Sequence, residues 1–235
     1  NVTFYANAGG NGGGIYNESG STATISDTTI ESNLIVTRPS PPAGGGGISN
    51  SGTMNLSNVT VSSNDAGVTL GGGIYNRGVL YASSATIAFN RTSAPSVNGN
   101  GGGFFGNANL RNSLIAKNTD TNGSSPDFRG TVTSQGYNLI ENIAGTIISG
   151  NLTGNLSGRD SRISNLGFYT SSFPVHALLP GSPAIDAADP AIAAEYDQRG
   201  FSRTADGDGD GSARPDIGAF EVRPIRVSHL ADGGP

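Results

Sequence analysis

Residues 59–76 read Val-Thr-Val-Ser-Ser-Asn-Asp-Ala-Gly-Val-Thr-Leu-Gly-Gly-Gly-Ile-Tyr-Asn, and this stretch decides the fold. Its first half places a hydrophobic residue three positions before an Asn, and its second half places a Gly triplet before an apolar residue. Both halves recur along the chain. The recurring Asn residues are Asn7, Asn33, Asn64, Asn90 and Asn118, at intervals of 26, 31, 26 and 28 residues. A period in this range indicates a repeat architecture, in which each unit buries its apolar face only against its neighbours.

Each repeat also carries the pattern of three short strands. Apolar and β-branched residues alternate around each Asn, and the i, i+3, i+4 spacing of a helix is missing from residues 1–150. Further apolar segments follow each Gly triplet and precede each Asn strand. We therefore predict an all-β protein, a right-handed parallel β-helix of about five or more coils with an irregular C-terminal capping region. The coils are expected in residues 1–158, and the capping region with a strand-like tail in residues 159–235.

The recurring Asn and Gly residues have different expected tasks. Stacked coils lie about 4.8 Å apart, so equivalent side chains lie over one another. We expect the five Asn residues to form a structural hydrogen-bonded ladder, each Asn in left-handed geometry at a corner. Ile30, Val61, Ile87 and Ile115 are expected to form an internal column. The Gly triplets are expected to supply positive φ and close approach between coils.

Each of these assignments has alternatives. Gly triplets are also typical of flexible linkers or of a phosphate-binding loop, although neither a helix nor a Lys follows them here. The Asn column is also compatible with metal or sugar binding.

The composition restricts the partners. The chain has 37 Gly, no Cys, twelve Arg, a single Lys and a formal net charge of −5 at pH 7. Nucleic acids and anionic membranes require clustered cations, so we predict no nucleic-acid partner. No run of about 18 apolar residues is present, and no transmembrane segment is expected. The first residues of the chain already belong to a repeat. We interpret this as the result of a removed leader or of a longer protein.

Two resemblances together cover nearly the whole chain. The pairing of Gly-Gly-x-Ile with Phe-x-x-Asn resembles the repeats of polymorphic outer-membrane proteins and related bacterial surface β-helices. The later part resembles the choice-of-anchor Q domain of secreted bacterial proteins. The blocks that carry this second resemblance are Gly-Tyr-Asn-Leu-Ile at 136–140, His-Ala-Leu-Leu-Pro-Gly-Ser-Pro-Ala-Ile-Asp at 176–186, Asp-Gln-Arg-Gly at 197–200, Arg203, and Asp-Ile-Gly-Ala-Phe-Glu at 216–221. The resemblances imply an exported, extracellular or cell-surface β-helix with varied anchoring tails, and they imply no reaction.

The most specific chemical motif of the sequence alternates Asp and Gly over residues 206–211. Such a loop can direct several oxygens at one hard cation, and Ca²⁺ accepts six to eight. The pattern matches the first half of a calcium loop, but its twelfth position is Ile217 and not a bidentate Glu. We predict Ca²⁺ as a cofactor, bound by Asp206, Asp208, Asp210 and Asp216. A solvated acidic turn is the alternative.

Charged residues elsewhere in the C-terminal region are expected to have a structural task. The repeated pattern of Asn and Gly triplets does not continue into this region. The region is rich in Pro and Asp, as expected of a segment that wraps the coils. The charged residues expected to form a paired network that pins its loops are Asp186, Asp197, Arg199, Arg203, Asp216 and Glu221. A catalytic carboxylate pair among them is the alternative.

Two features of the coil region are potential surface sites. Asn-x-Ser/Thr triplets predict possible glycosylation at Asn17, Asn55, Asn58, Asn90 and Asn122, if the compartment supports it. Insertions at residues 34–43 and 91–100 fall on one side of the repeat. They form either a binding face or loops that the fold tolerates without a function.

The sequence favours a non-enzymatic, extracellular or cell-surface structural β-solenoid that self-assembles head to tail into a filament. The first residues already belong to a coil, so that coil has no visible cap, and the alternating residues 222–229 are expected to reach a neighbouring copy. An adhesin or glycan-binding surface module is the alternative, with glycans or another cell surface as partner. A polysaccharide lyase or hydrolase is less favoured, because the charged residues of the coils do not converge on one face.

Overall fold

The computed structural model describes residues 2–36, 44–93, 99–121, 123–191 and 195–223. These ranges contain nineteen strands and no helix, and hence no helix that could cross a bilayer. The strands are β1 Val2–Tyr5, β2 Ala8–Gly9, β3 Ile15–Asn17, β4 Thr22–Glu31, β5 Leu34–Ile35, β6 Ile48–Asn50, β7 Thr53–Ser62, β8 Ile74–Asn76, β9 Val79–Ser83, β10 Thr86–Ala88, β11 Arg91–Thr92, β12 Phe104–Phe105, β13 Ala108–Arg111, β14 Leu114–Ala116, β15 Thr119–Asp120, β16 Phe128–Gln135, β17 Leu139–Ile140, β18 Thr146–Asn151 and β19 Leu156–Ser157. All their pairings are parallel, and the predicted parallel β-helix is confirmed.

The coils build three faces, each with strands stacked in parallel register. The first face stacks β1, β4, β7, β10, β14, β17 and β19. The second stacks β4, β7, β9, β13, β16 and β18. The third stacks β3, β6, β8, β12 and β16. The strands β4 and β7 serve two faces because each bends at a residue with positive φ, 47° at Asp27 and 52° at Asn58.

The core consists of columns of apolar side chains, one residue per coil. The predicted column of Ile30, Val61, Ile87 and Ile115 is confirmed, and all four side chains are fully buried. The third face adds a column that ends in two aromatic rings, Phe104 and Phe128, stacked with their centroids 4.5 Å apart. Burial of side chains this large contributes about 1.5–3 kcal/mol each, and only the stacking of neighbouring coils provides it.

The Gly triplets are ordered parts of the coils. Their first members have φ of 66°, 83°, 64° and 62° at Gly12, Gly45, Gly71 and Gly101. A side chain on Gly46 would collide with the Gly72 carbonyl of the next coil, as the sequence pattern predicted. Backbone hydrogen bonds join successive triplets, which excludes the linker interpretation for these segments.

The described residues from 159 to 191 and from 195 to 223, which we call the strap, contain none of the named strands and lie along the first face. It contacts the outward-facing threonines of that face: Thr29 donates to Pro174 O at 2.8 Å, and Thr60 donates to Gln198 Oε1 at 2.6 Å. Beyond them, outward apolar residues of the coils join a second core. Its buried members are Ala88, Leu114, Ala116, Leu139, Ile163, Phe173, Val175, Leu178, Ala184, Ala188, Ile217 and Phe220. The strap thus spans the coils from Thr29 to Leu139.

Candidate functional site

The predicted Asn ladder is present and runs from Asn7 to Asn118. In each step the backbone N and the side-chain Nδ2 of one Asn both donate to Oδ1 of the next, as Asn33 does to Asn64 at 2.9 Å. Each Nδ2 from Asn33 onward also donates to a backbone carbonyl of an adjacent coil, such as Ile30 O for Asn64 at 2.9 Å. The interior amides therefore use their donors and acceptors within the ladder, which favours the structural interpretation.

The expected backbone geometry of the ladder was wrong by one residue. The left-handed conformation belongs to the residue before each Asn, and φ lies between 52° and 58° at Ala6, Ser32, Ser63, Phe89 and Lys117. Such a residue costs about 1–2 kcal/mol in this conformation. The turn places the following Asn amide inside the coil, beneath the third Gly of the triplet, and its buried hydrogen bonds offset that cost.

The ladder ends on a carboxylate that sequence reasoning missed. Asp127 Oδ1 accepts hydrogen bonds from the N and Nδ2 of Asn118 at 3.1 and 2.9 Å, and Oδ2 accepts from Asn142 N at 2.7 Å. Burial raises the pKa of Asp127 to about 6, although these three hydrogen bonds favour its ionised form. Because a carboxylate only accepts, Asp127 terminates a chain in which every Asn donates in the same direction.

A second amide ladder stands at the end of the third face. Asn17 Nδ2 donates to Asn50 Oδ1, and Asn50 Nδ2 donates to Asn76 Oδ1, both at 2.7 Å. Asn76 Nδ2 then donates to Asn107 O at 2.6 Å. The signal for this ladder was an Asn two residues after the apolar residue that follows each of the first three Gly triplets.

Burial corrects three of the five predicted glycosylation sites. Asn17, Asn58 and Asn90 are buried, and the Nδ2 atom of each donates hydrogen bonds within the protein. Their amides are therefore not accessible to a glycan in the folded chain. Asn55 is half-buried on the second face, and Asn122 lies outside the described residues. The insertion segments 37–43 and 94–98, and the tail from residue 224 onward, also lie outside them.

The acidic loop brings together only part of the predicted calcium set. One carboxylate oxygen from each of Asp186, Asp206 and Asp208 lies within 4.8 Å of the other two, an arrangement that could hold a metal ion. Asp210 does not belong to this group. Its Oδ1 accepts from Ser212 N at 2.7 Å. Asp216 is buried in the strap, where it accepts from the N atoms of Asp186 and Val222. Asp186 was expected in the charge network, not at the cation.

The predicted charge network of the strap is present and almost wholly buried. Arg199 pairs with Asp197 at 2.6 Å, and Arg203 Nη1 lies 3.7 Å from Glu221 Oε2. Arg203 also donates to Asn58 Oδ1 at 3.0 Å and to Gly218 O at 2.8 Å, so it joins the strap to the coils. Burial raises the pKa of Asp216 to about 7 and that of Glu221 to about 8.

A buried histidine provides another contact between the strap and the coils. His176 Nε2 lies 2.9 Å from Ser62 Oγ, its Nδ1 lies 2.9 Å from Ser164 O, and its ring stacks on Phe89 with centroids 5.1 Å apart. Burial lowers the pKa of His176 to about 4, which keeps the imidazole neutral at physiological pH.

No family model, curated protein or solved structure matches this chain.

Proposed function

We propose that this protein is a non-enzymatic structural β-solenoid that acts outside the cell or on its surface and stacks end to end with further copies. The observation that carries this proposal is the outer edge of β18. Within the described residues this strand pairs on one side only, with β16. Its sequence, Thr-Ile-Ile-Ser-Gly-Asn, contains neither a charged residue nor a Pro, and Ile147 is 65% exposed.

Such an edge favours pairing with another strand. Natural proteins protect exposed edges with charges, Pro, bulges or a covering segment. The strap leaves the coils after β19 and runs along the first face. Since every coil pairs in parallel with the next, a coil of another copy has the geometry to continue the stack, and repeated head-to-tail contact generates an open filament.

Most buried polar groups of the described residues bond to one another within the fold, and this supports a structural role. The interior Asn amides serve the ladders, and the buried charges fix the strap. The proposed location outside the cell is supported by the two resemblances noted above. Immunogold labelling of thin sections of the source cells tests it, and labelling confined to the cytoplasm would contradict it.

The stacking proposal is tested by the size of the purified chain over a range of concentrations. We expect light scattering to report a mass that grows with protein concentration. Electron microscopy should reveal filaments about as wide as a single β-helix. Ile147→Lys places a charge on the outer edge of β18 and is expected to abolish growth. Val79→Lys is the matched control, because Val79 is 45% exposed on β9, which is paired on both sides. Monomers at every concentration would overturn the proposal.

A further inference from the structure

A groove of about 630 Å³ lies between the first coils and the strap. One wall is the outward surface of the first face, with Thr3 and Tyr5 on β1 and Glu31 on β4. The other wall is a loop of the strap that includes Phe168, Ser172 and Pro174. The volume is within the range of about 300–1,000 Å³ that is typical of small-molecule sites.

Two exposed aromatic side chains line this groove. Phe168 is 70% exposed and Tyr5 is 64% exposed, which places both among the three most exposed large hydrophobic side chains of the described residues. They belong to parts of the chain more than 160 residues apart, yet the fold places them at one groove. Exposed aromatic rings are costly to leave in water and usually mark a contact surface when they occur together.

The polar groups of the groove are one carboxylate and several hydroxyls. Glu31 is half-buried and is the register partner of Tyr5, and burial raises its pKa. Thr3, Ser63 and Ser172 contribute hydroxyls that both donate and accept. Among the described residues, neither Lys, Arg nor His lines the groove. An anionic ligand would therefore meet Glu31 without a compensating cation, which is unfavourable.

Both walls are held in place without a ligand. The N and O atoms of Gly167 and Val175 exchange two hydrogen bonds, at 3.0 and 2.9 Å, and close the base of the Phe168 loop. Pro174 O accepts from Thr29, two positions before Glu31 on the same strand, and fixes the loop against the coils. The groove is thus preformed, which reduces the entropy lost on binding.

We propose that this groove binds an uncharged saccharide, a role that goes beyond the structural one. Sugar rings present C–H groups on one face, which are attracted to the electron-rich face of an aromatic ring. Their hydroxyls match the Ser, Thr and Glu groups, which supply donors and acceptors at the same groove. Uncharged chains are favoured over acidic ones because Glu31 is the sole charged side chain that the described residues place in the lining.

The test is isothermal titration calorimetry on the full chain. The neutral probes are hexasaccharides of glucose, xylose and mannose, and the acidic probe is hexagalacturonate. We expect at least one neutral probe to bind and hexagalacturonate not to bind. Tyr5→Ala and Phe168→Ala should each weaken that binding about two- to tenfold, as the loss of one aromatic contact predicts. Tyr5→Phe should retain the affinity, and Glu31→Gln should weaken it and relax the rejection of the acidic probe.

Tyr81→Ala is the matched control, since Tyr81 is 45% exposed on the second face, away from the groove. Saturation-transfer NMR on the unmodified chain gives a second measurement, in which irradiation of aromatic protons should attenuate the sugar C–H signals. Failure of all neutral probes to bind, preference for hexagalacturonate, or equal loss in Tyr81→Ala would overturn the proposal. None of these results affects the stacking test, which measures mass without any saccharide.

Discussion

The coils and the strap are held together by different physical means. In the coils, the main contacts are repeated: an Ile column, an amide ladder and a Gly triplet recur in successive turns. In the strap, each contact occurs once, and buried ions and hydrogen bonds to outward threonines replace regular strands. Repetition distributes stability over many similar small contributions, whereas the strap concentrates it in a few groups. Single substitutions should therefore have unequal effects in the two regions.

The largest expected effect is the loss of Arg203. This side chain is 2% exposed and joins Glu221, Gly218 and Asn58. Arg203→Ala leaves buried carboxyl groups without their cation and should lower the free energy of unfolding by about 3–5 kcal/mol. Urea denaturation followed by circular dichroism measures this change. The matched control is Arg91→Ala, whose side chain is 70% exposed where it pairs with the half-buried Asp65, and a change of about 1 kcal/mol or less is expected.

Hydrogen exchange then locates the effect of Arg203→Ala. If the strap depends on this residue, amides of its described residues should lose protection while those of the internal strands β7 and β10 keep it. Uniform loss of protection over both regions would contradict the distinction between them.

The next effect is the interruption of the ladder in the middle of the coils. Asn90→Ala removes the acceptor of Asn64 and the donor to Asn118, all of them buried. The free energy of unfolding should fall by about 2–3 kcal/mol, since each unpaired buried group costs about 1–3 kcal/mol. Asn7→Ala, at the exposed end of the same ladder, is the control and should cost less. Equal losses would contradict the argument from burial.

The pH dependence of stability should come mainly from the strap. The folded pKa values of Asp216 and Glu221, about 7 and 8, lie above those of exposed carboxyl groups, so the folded state retains protons that the unfolded state releases. Their contribution is full below about pH 4 and is lost as the pH rises through 7 and 8. His176 acts in the opposite direction, but only below about pH 6.5, where its unfolded form gains a proton.

Thermal unfolding at pH 7 and pH 9 measures this contribution. We expect a lower midpoint at pH 9, and a smaller difference in Glu221→Gln, which cannot ionise. A midpoint that rises between pH 7 and pH 9 would contradict the raised pKa values.

The smallest expected effect concerns calcium, which stays a prediction. If Asp186, Asp206 and Asp208 bind Ca²⁺, free Ca²⁺ at about five times Kd should stabilise the fold by about 1 kcal/mol. Asp208→Asn should reduce this shift, whereas Asp210→Asn, outside the group, should preserve it. An unchanged midpoint in millimolar Ca²⁺ would favour the solvated turn.

The same contrast explains what the sequence predicts well. The Ile column and the Asn ladder repeat, so the register of one coil gives the register of the next. The left-handed corner was misplaced because Ala6, Ser32 and Phe89 share no chemistry, and only the backbone makes them equivalent. The contact of Arg203 with Asn58 joins residues 145 positions apart and occurs once, so no repeated pattern in the sequence predicts it. Asp127 was missed for the same reason, since only the last Asn of the ladder needs it.

The position of the strap has a consequence for how this protein can change its length. Most solenoids lengthen or shorten by gaining or losing whole repeats. Here the strap reaches from Thr29 to Leu139, and its anchor points match particular coils. Deletion of one internal coil would displace every later anchor by about 4.8 Å, the distance between coils. The strap therefore acts as a ruler that fixes the number of coils beneath it.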